Sequence, residues 1–234
     1  MSGFISFKAY ESRSRASSAA AELLSSLLRG ALANNLKTQA SLVVSGGSTP
    51  GPCFDQLSTE ALDWSRVTIL PSDERWISGD HPDSNERLIR DRLLKGRASR
   101  AGILPFHRDG IEAGQAPASI EQDLQGLAQP FSVSLLGMGE DGHFASLFPD
   151  FPGLPEALDP HGKARCITVQ TAGSPYLRIS LTLSALLNSE AIVLLIFGEK
   201  KRAVFEAAVK GGSGYPVESL LKHANTPLTV IWTS

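Results

Sequence analysis

The chain has 234 residues, of which 42% are hydrophobic and 20% are charged, and its formal net charge is −2. This length and composition are typical of a globular protein, and we expect residues 1–234 to form one domain. The near-neutral charge excludes an overall basic field for nucleic acid or membrane, so an anionic ligand would need local positive groups.

Six short apolar runs predict the strands of a sheet. They are rich in β-branched residues and mostly continuous rather than alternating, which is typical of strands buried on both faces of a parallel sheet. The runs are 41–44, 67–70, 133–136, 166–169, 191–197 and 228–232.

Helical patterns lie between these runs, and their ends carry start and stop signals. Asp83 and Glu86 have the spacing of a capping box, Pro117 suits a first helical turn, and Gly211 suits a C-terminal stop. Strands that alternate with helices predict an α/β, Rossmann-like three-layer fold with a mostly parallel sheet and flanking helices. The predicted helices cover 15–36, 83–95, 117–128 and 199–212.

Polar or glycine-rich segments follow four of the predicted strands. "SGGSTP" begins at residue 45, "PSDERW" at 71, "GMGEDGH" at 137 and "GEKK" at 198. Ligands of parallel α/β sheets bind outside the carboxyl ends of the strands. We therefore expect these four segments to share one edge of the sheet and to form the functional site.

Gly137, Gly139 and Gly142 have the Gly-x-Gly-x-x-Gly spacing of a dinucleotide-binding fingerprint. That fingerprint requires a helix running on from the third glycine and an acidic residue about 20 positions later at a strand end. Here Pro149 follows closely, and Asp159, at a suitable distance, lies among prolines. We therefore expect no dinucleotide and interpret these glycines as positions of tight turning and close approach.

The segment after the first predicted strand is a candidate phosphate site. Gly46 and Gly47 are followed by Ser48 and Thr49, so backbone N–H groups and hydroxyls can face an anion. The alternative is a plain turn in which Ser48 or Thr49 caps the next helix.

Further charged side chains are candidates for holding an anion. Asp73, Glu74 and Arg75 follow the second predicted strand, where an arginine can bind a phosphate or carboxylate with its forked guanidinium. A solvated charge cluster is the alternative. Secondary candidates, whose ordinary role would be surface solvation, are Arg178, Lys200 and Lys201.

His143 differs from the other four histidines because it lies in a glycine-rich loop beside Glu140 and Asp141. The segment has no cysteine nucleophile and no Gly-x-Ser-x-Gly motif. We therefore interpret His143 as a general base, since a neutral imidazole can take a proton from water. The alternative is a structural histidine.

The two cysteines, Cys53 and Cys166, lie in no Cys-x-x-Cys or Cys/His cluster, which predicts reduced thiols and no metal site. The first ten residues lack the basic and apolar regions of a signal peptide. The longest apolar run, 191–197, is too short to span a bilayer. We expect a cytoplasmic protein that binds neither membrane nor nucleic acid.

Together, the motifs resemble those of the 6-phosphogluconolactonases. The match runs from Val43 to Trp232, and its most specific part is "GMGEDGHFASLFP". The resemblance implies a fold like that of the sugar-phosphate isomerases and deaminases. It also implies hydrolysis of a small phosphosugar lactone, 6-phospho-D-glucono-1,5-lactone, in the oxidative pentose phosphate pathway, without cofactor or metal. We expect a monomer or small homo-oligomer. The matching motifs are "SGGSTP", "SDERW", "HPDSNERLIRDRLL", "LLGMGEDGHFASLFP", "RISLTL" and "GEKK".

For such a reaction, His143 would activate a water molecule and Asp141 would orient its imidazole. Arg75 or N–H groups of the loops would stabilise the oxyanion that forms. The residues expected to hold the phosphate or position the sugar ring are Gly46, Gly47, Ser48, Thr49, Asp73, Gly139, Ser146, Arg178 and Lys201.

Two other functions stay open from the sequence. A glucosamine-6-phosphate deaminase or isomerase of the same fold typically carries Asp-Glu-Tyr where this chain has Asp73-Glu74-Arg75. It also has an Asn-Glu-Pro continuation where this chain has residues 146–149. A non-catalytic phosphosugar-binding regulator would usually add a DNA-binding helix-turn-helix domain, for which the residues before position 40 leave little room.

Overall fold

The computed structural model describes residues 4–34 and 38–234. It contains two β-sheets of different size. The strands, numbered along the chain, are β1 (Ile5–Ala9), β2 (Ala40–Val44), β3 (Val67–Pro71), β4 (Asp73–Arg75), β5 (Gly102–Ile103), β6 (Val133–Leu136), β7 (Cys166–Val169), β8 (Arg178–Leu181), β9 (Ile192–Phe197) and β10 (Leu228–Thr233). Seven of them form a parallel sheet in the order β1-β10-β9-β6-β2-β3-β5. The other three form a small antiparallel sheet in the order β4-β8-β7.

The central strands of the parallel sheet contribute side chains to a core on each face. In β2, Leu42 and Val44 belong to one core and Val43 to the other. Successive residues of a strand point to opposite faces. A strand covered on both faces therefore needs a continuous apolar run, which is why the sequence pattern identified these strands.

Helices cover both faces of the parallel sheet. One core contains side chains of α1 (Arg13–Ala33), α2 (Gly51–Leu57) and α3 (Asn85–Arg92). The other contains side chains of α4 (Ala116–Gln125), α5 (Leu154–Ala157), α6 (Leu183–Leu187), α7 (Glu199–Lys210) and α8 (Pro216–His223). The predicted three-layer α/β fold is therefore confirmed. Among the described residues, no helix is long and apolar enough to cross a membrane.

The prediction that residues 166–169 belong to the parallel sheet is wrong. This run was expected in the parallel sheet, but it is β7, which pairs antiparallel with β8. Its middle residues are only partly buried, and a four-residue apolar run does not reveal the direction of its partner. The charged segment 73–75 is also a strand, β4, although three polar residues carry no strand pattern.

The start of α3 corrects the predicted capping box. Ser84 is the N-cap, and its Oγ accepts a hydrogen bond from the backbone N–H of Arg87 at 3.2 Å. The side chain of Glu86 instead forms an ion pair with Arg90, with a nitrogen–oxygen distance of 2.7 Å. Asp83 therefore precedes the cap rather than forming it.

The other predicted helices differ from the structure mainly at their ends. The prediction for 15–36 corresponds to α1, and its residues 35–36 lie outside the described part of the chain. Residues 1–3, which belong to the N-terminal segment without signal-peptide features, lie outside the described part as well. The prediction for 117–128 corresponds to α4, and that for 199–212 corresponds to α7, which ends before Gly211.

We predict that both thiols are unreactive in the folded protein. Burial raises the pKa of Cys53 to about 12 and that of Cys166 to about 12, and the thiolate is the form that reacts. A chromogenic disulfide reagent in mildly alkaline buffer should therefore detect both thiols only after a denaturant is added. Rapid reaction of either cysteine in native buffer would contradict this packing.

Candidate active site

A cavity of about 350 Å³ opens at the carboxyl edge of the parallel sheet. The loops after β2 and β6, the strand that follows β3 and the helix that follows β9 all contribute to it, as expected for a parallel α/β sheet. No group of three or more His, Cys, Asp or Glu side chains in the described part of the chain is placed to hold a metal ion. The lining residues are Ser45, Gly46, Gly47, Ser48, Thr49, Asp73, Arg75, Asn85, Gly137, Met138, Gly139, His143, Phe144, Ala145, Phe148, Arg178 and Lys201.

Asp141 holds the imidazole of His143 in a defined orientation. Its Oδ1 lies 2.6 Å from His143 Nδ1 and also accepts a hydrogen bond from the backbone N–H of His143 at 3.2 Å. The ring packs against Phe148, with the two ring centroids 4.3 Å apart. Since a carboxylate only accepts hydrogen bonds, we assign the proton to Nδ1, which leaves Nε2 as the nitrogen able to accept a proton.

Two of the glycines with the fingerprint spacing, Gly139 and Gly142, lie where neighbouring side chains leave no room for a Cβ. A Cβ at Gly139 would overlap Nδ1 of His143 and Oδ1 of Asp141, so a side chain there would displace this pair. Gly142 has a φ of +78°, and its Cβ would lie 2.6 Å from Cβ of Tyr215. Residues 143–153, all within the described part of the chain, contain no helix. The structure therefore lacks the helix that the dinucleotide fingerprint requires after Gly142.

The loop after β2 lies directly against the start of α3. A Cβ at Gly46 would overlap the side-chain amide of Asn85. Gly47 has a φ of +86°, a backbone conformation that other residues rarely adopt. The two glycines therefore let the loop turn beside Asn85 at the cavity wall.

Ser48 and Thr49 line the cavity rather than capping the next helix. The N-cap of α2 is Pro50, and no side-chain hydrogen bond caps this helix. The alternative in which Ser48 or Thr49 serves as a helix cap is therefore wrong.

Arg75 and Arg178 face each other across the small sheet, because β4 and β8 pair in that register. Like charges directly opposite each other destabilise a sheet, and Asp73 offsets part of this repulsion with its Oδ2 at 3.7 Å from Arg178 Nη1. Burial lowers the pKa of Arg178, Asp73 raises it, and Arg75 lowers it further. This arrangement favours an anion between the two guanidinium groups.

The two adjacent lysines of α7 have different surroundings. Lys201 lines the cavity; burial lowers its pKa, and the carboxylates of Glu140 and Asp141 raise it in part. Lys200 is not among the lining residues, and its side chain is 80% exposed, with Nζ 3.3 Å from Oε2 of Glu140. Of the two candidates, the structure therefore brings only Lys201 into the site.

Ser146 lies behind Asp73 rather than in the cavity wall. Its Oγ donates a hydrogen bond to Oδ2 of Asp73 at 2.5 Å, and its side chain is fully buried. Oδ1 of Asp73 accepts a second hydrogen bond from Ser72 Oγ at 2.9 Å. In the structure, the hydroxyl of Ser146 therefore contacts Asp73, and Ser146 is not among the residues that line the cavity.

Asn85 is a lining residue that sequence reasoning did not identify. Its Nδ2 donates to the backbone oxygen of Asp73 at 2.6 Å, and its Oδ1 accepts from Nη1 of Arg75 at 3.4 Å. The sequence signals for Asn85 are its position at the start of a predicted helix and its place in the matching motif "HPDSNERLIRDRLL". Glu74, the neighbour of Arg75, is fully buried and lies against the same helix end, so the interpretation of this segment as a solvated charge cluster is wrong for Asp73 and Glu74.

Comparison with known proteins finds one matching family and several similar proteins. A family model described as glucosamine-6-phosphate isomerases/6-phosphogluconolactonase matches residues 11–232. A 6-phosphogluconolactonase of Pseudomonas aeruginosa is 40% identical over 207 residues, which cover 88% of this chain and 85% of that protein. One of Rhizobium meliloti is 37% identical over 225 residues, covering 95% and 96%. The crystal structure of a 6-phosphogluconolactonase from Shewanella baltica superposes with a TM-score of 0.93 at 37% identity, covering 100% of each chain.

Replacing Gly139 with alanine should destabilise the protein by about 1–3 kcal/mol, because the new methyl group overlaps the Asp141–His143 pair. Urea-induced unfolding measures this change. The control is Gly114→Ala, since a Cβ at Gly114 has nothing within 4 Å, and its effect should stay below about 1 kcal/mol. Equal stability of the two variants would contradict the close packing at Gly139.

Proposed function

Because the chain belongs to the glucosamine-6-phosphate isomerase/6-phosphogluconolactonase family, we propose that it is a 6-phosphogluconolactonase. It hydrolyses 6-phospho-D-glucono-1,5-lactone to 6-phosphogluconate. The observation that carries this proposal is the shared cavity, in which the Asp141-oriented imidazole of His143 meets the cations Arg75, Arg178 and Lys201. A base and an anion-binding surface are the two elements that a phosphorylated lactone requires.

The proposed reaction begins with water activation by His143. Nε2 removes a proton from water while the water oxygen attacks the carbonyl carbon of the lactone. Asp141 stabilises the imidazolium that forms, through the contact at Nδ1. Arg75 and backbone N–H groups of the surrounding loops donate hydrogen bonds to the oxyanion.

The second step opens the ring. The oxyanion collapses, the bond between the carbonyl carbon and the ring oxygen breaks, and the ring oxygen takes the proton from Nε2. This returns His143 to its neutral form and leaves the carboxylic acid, which ionises at neutral pH. The same nitrogen thus serves first as general base and then as general acid.

The phosphate group would lie among the cations and the loop after β2. Arg178 and Lys201 supply positive charge in the cavity wall, and Gly46, Gly47 and Ser48 supply N–H groups and a hydroxyl beside them. Charge-assisted hydrogen bonds from such donors are about twice as strong as neutral ones. Arg75 and Asp73, which also line the cavity, would position the sugar ring.

The wider setting of the enzyme is part of the proposal. We place residues 1–234 in one domain and the reaction in the oxidative pentose phosphate pathway, where the product is used. Cytoplasmic location, a monomeric or small homo-oligomeric state, and function without cofactor, nucleic acid or membrane stay predictions from the sequence.

We predict that His143→Ala lowers kcat by roughly 10²–10⁴-fold, the usual contribution of general acid–base catalysis. Binding of the product 6-phosphogluconate should change little, because the phosphate-binding cations are intact. The lactone is generated in situ, its loss is followed against buffer alone, and product binding is measured by calorimetry.

The matched control for this substitution is His161→Ala, since His161 is exposed and does not line the cavity. It should keep wild-type kinetics. Unchanged kcat with lost product binding in His143→Ala would refute the assigned base. Should the wild-type protein add nothing to spontaneous hydrolysis, the lactonase proposal falls; ammonia release from glucosamine 6-phosphate would then identify a deaminase.

A further inference from the structure

Glu74 lies between two residues of the cavity wall but faces away from the cavity. Asp73 and Arg75, its neighbours in β4, both line the cavity. Because side chains alternate along a strand, Glu74 points to the opposite side, where α3 begins. Its side chain is fully buried there. The reaction proposed above makes no use of this carboxylate.

The carboxylate of Glu74 accepts four hydrogen bonds. Oε1 accepts from the backbone N–H groups of Arg75 and Asn85, each at 2.8 Å. Oε2 accepts from the backbone N–H of Glu86 at 2.7 Å and from Ser84 Oγ at 3.0 Å. Burial raises the pKa of Glu74, and these donors lower it. The contacts join β4 to the N-terminal end of α3, where backbone N–H groups otherwise lack partners.

The contact with Asn85 connects this buried carboxylate to the cavity. Glu74 holds the backbone of Asn85, and the side chain of Asn85 then bridges the backbone oxygen of Asp73 and the guanidinium of Arg75. The same side chain lies against Gly46, where no Cβ would fit. A shift at the start of α3 would therefore move groups on two sides of the cavity.

We propose that Glu74 is a positioning residue, whose buried carboxylate fixes Asn85 against Gly46 and Arg75 and thereby sets the geometry of the substrate site. The role in catalysis rests on the proposed lactonase function; the role in positioning Asn85 does not. Glu74 itself does not line the cavity, so it acts through Asn85 and Arg75.

Glu74→Gln is a sharp test because it keeps the size of the side chain and changes its hydrogen bonding. An amide nitrogen donates and cannot accept, so the donors that face one carboxylate oxygen lose their acceptor. The start of α3 should shift or loosen as a result. The control is Glu121→Gln, which removes a carboxylate away from the cavity lining. Arg165 and Cys166 both donate their backbone N–H groups to Oε1 of Glu121, and the amide oxygen of glutamine can still accept both hydrogen bonds.

The first readout is hydrogen exchange of the Asn85 side-chain amide, followed by NMR without any substrate. We expect it to become at least about tenfold faster in Glu74→Gln and to stay at the wild-type rate in Glu121→Gln. If Glu74→Gln does not fold, Glu74→Asp keeps the carboxylate and both of its acceptor oxygens but shortens the side chain by one methylene. It should then give a smaller increase of the same kind.

The second readout is a double-mutant cycle on kcat/KM for 6-phospho-D-glucono-1,5-lactone, measured on variants that circular dichroism shows to be folded. Glu74→Gln should lower kcat/KM about tenfold, and in an Asn85→Ala background it should cause little further loss, because coupled residues are not additive. Glu121→Gln should leave kcat/KM at the wild-type value, because Glu121 does not line the cavity.

The outcomes distinguish the positioning role of Glu74 from the proposed lactonase function. An unchanged Asn85 amide in Glu74→Gln, or losses in kcat/KM that multiply in the double variant, would overturn the positioning role. A wild-type protein without lactonase activity would refute the proposed function instead, and the exchange of the Asn85 amide would still decide whether Glu74 positions that residue.

Discussion

The carboxylate of Asp73 joins three separate segments of the chain at the cavity. It is nearly buried, it receives a hydrogen bond from Ser146 in the segment after β6, and it lies next to Arg178 on β8. A buried carboxylate without such partners would be strongly unfavourable. Because Ser146 follows His143 by three residues and Asp73 precedes Arg75 by two, this interaction also fixes the segment with the base relative to the segment with the cations.

The two sheets have different roles around this carboxylate. In the parallel sheet, strand β6 leads into the loop that carries the Asp141–His143 pair. The small antiparallel sheet supplies Arg75 and Arg178 in facing positions. Bringing two guanidinium groups together costs free energy, and a bound anion would offset that cost. The pairing that is unfavourable in the free sheet therefore becomes favourable when an anionic ligand lies against both side chains.

Features of the fold and site that depend on local pattern could be predicted from the sequence. The continuous apolar runs identified the central parallel strands, because strands covered on both faces need such runs. The rule that ligands lie beyond the carboxyl ends of strands then brought the loops with Gly46 and His143 together. The cavity contains every residue expected to bind the substrate except Ser146.

The features that the sequence did not reveal depend on contacts between distant segments. Residues 73–75 form a strand because they pair with β8, which no local pattern indicates. Asn85 reaches the cavity because α3 starts at the buried carboxylate of Glu74. Ser146 contacts Asp73, which lies 73 positions away in the chain. No local pattern shows this contact, so the sequence could not distinguish a hydroxyl that contacts Asp73 from one that contacts a ligand.

The most direct test of a base and an anion site in one cavity compares two substrates of the wild-type protein. The values of kcat/KM for 6-phospho-D-glucono-1,5-lactone and for unphosphorylated glucono-1,5-lactone are measured under the same conditions, against spontaneous hydrolysis. Each hydrogen bond to a charged group contributes about 1.5–3 kcal/mol, so the phosphorylated lactone should be preferred by at least about a hundredfold. Equal values for the two lactones, or no acceleration of the phosphorylated one, would contradict the proposed site.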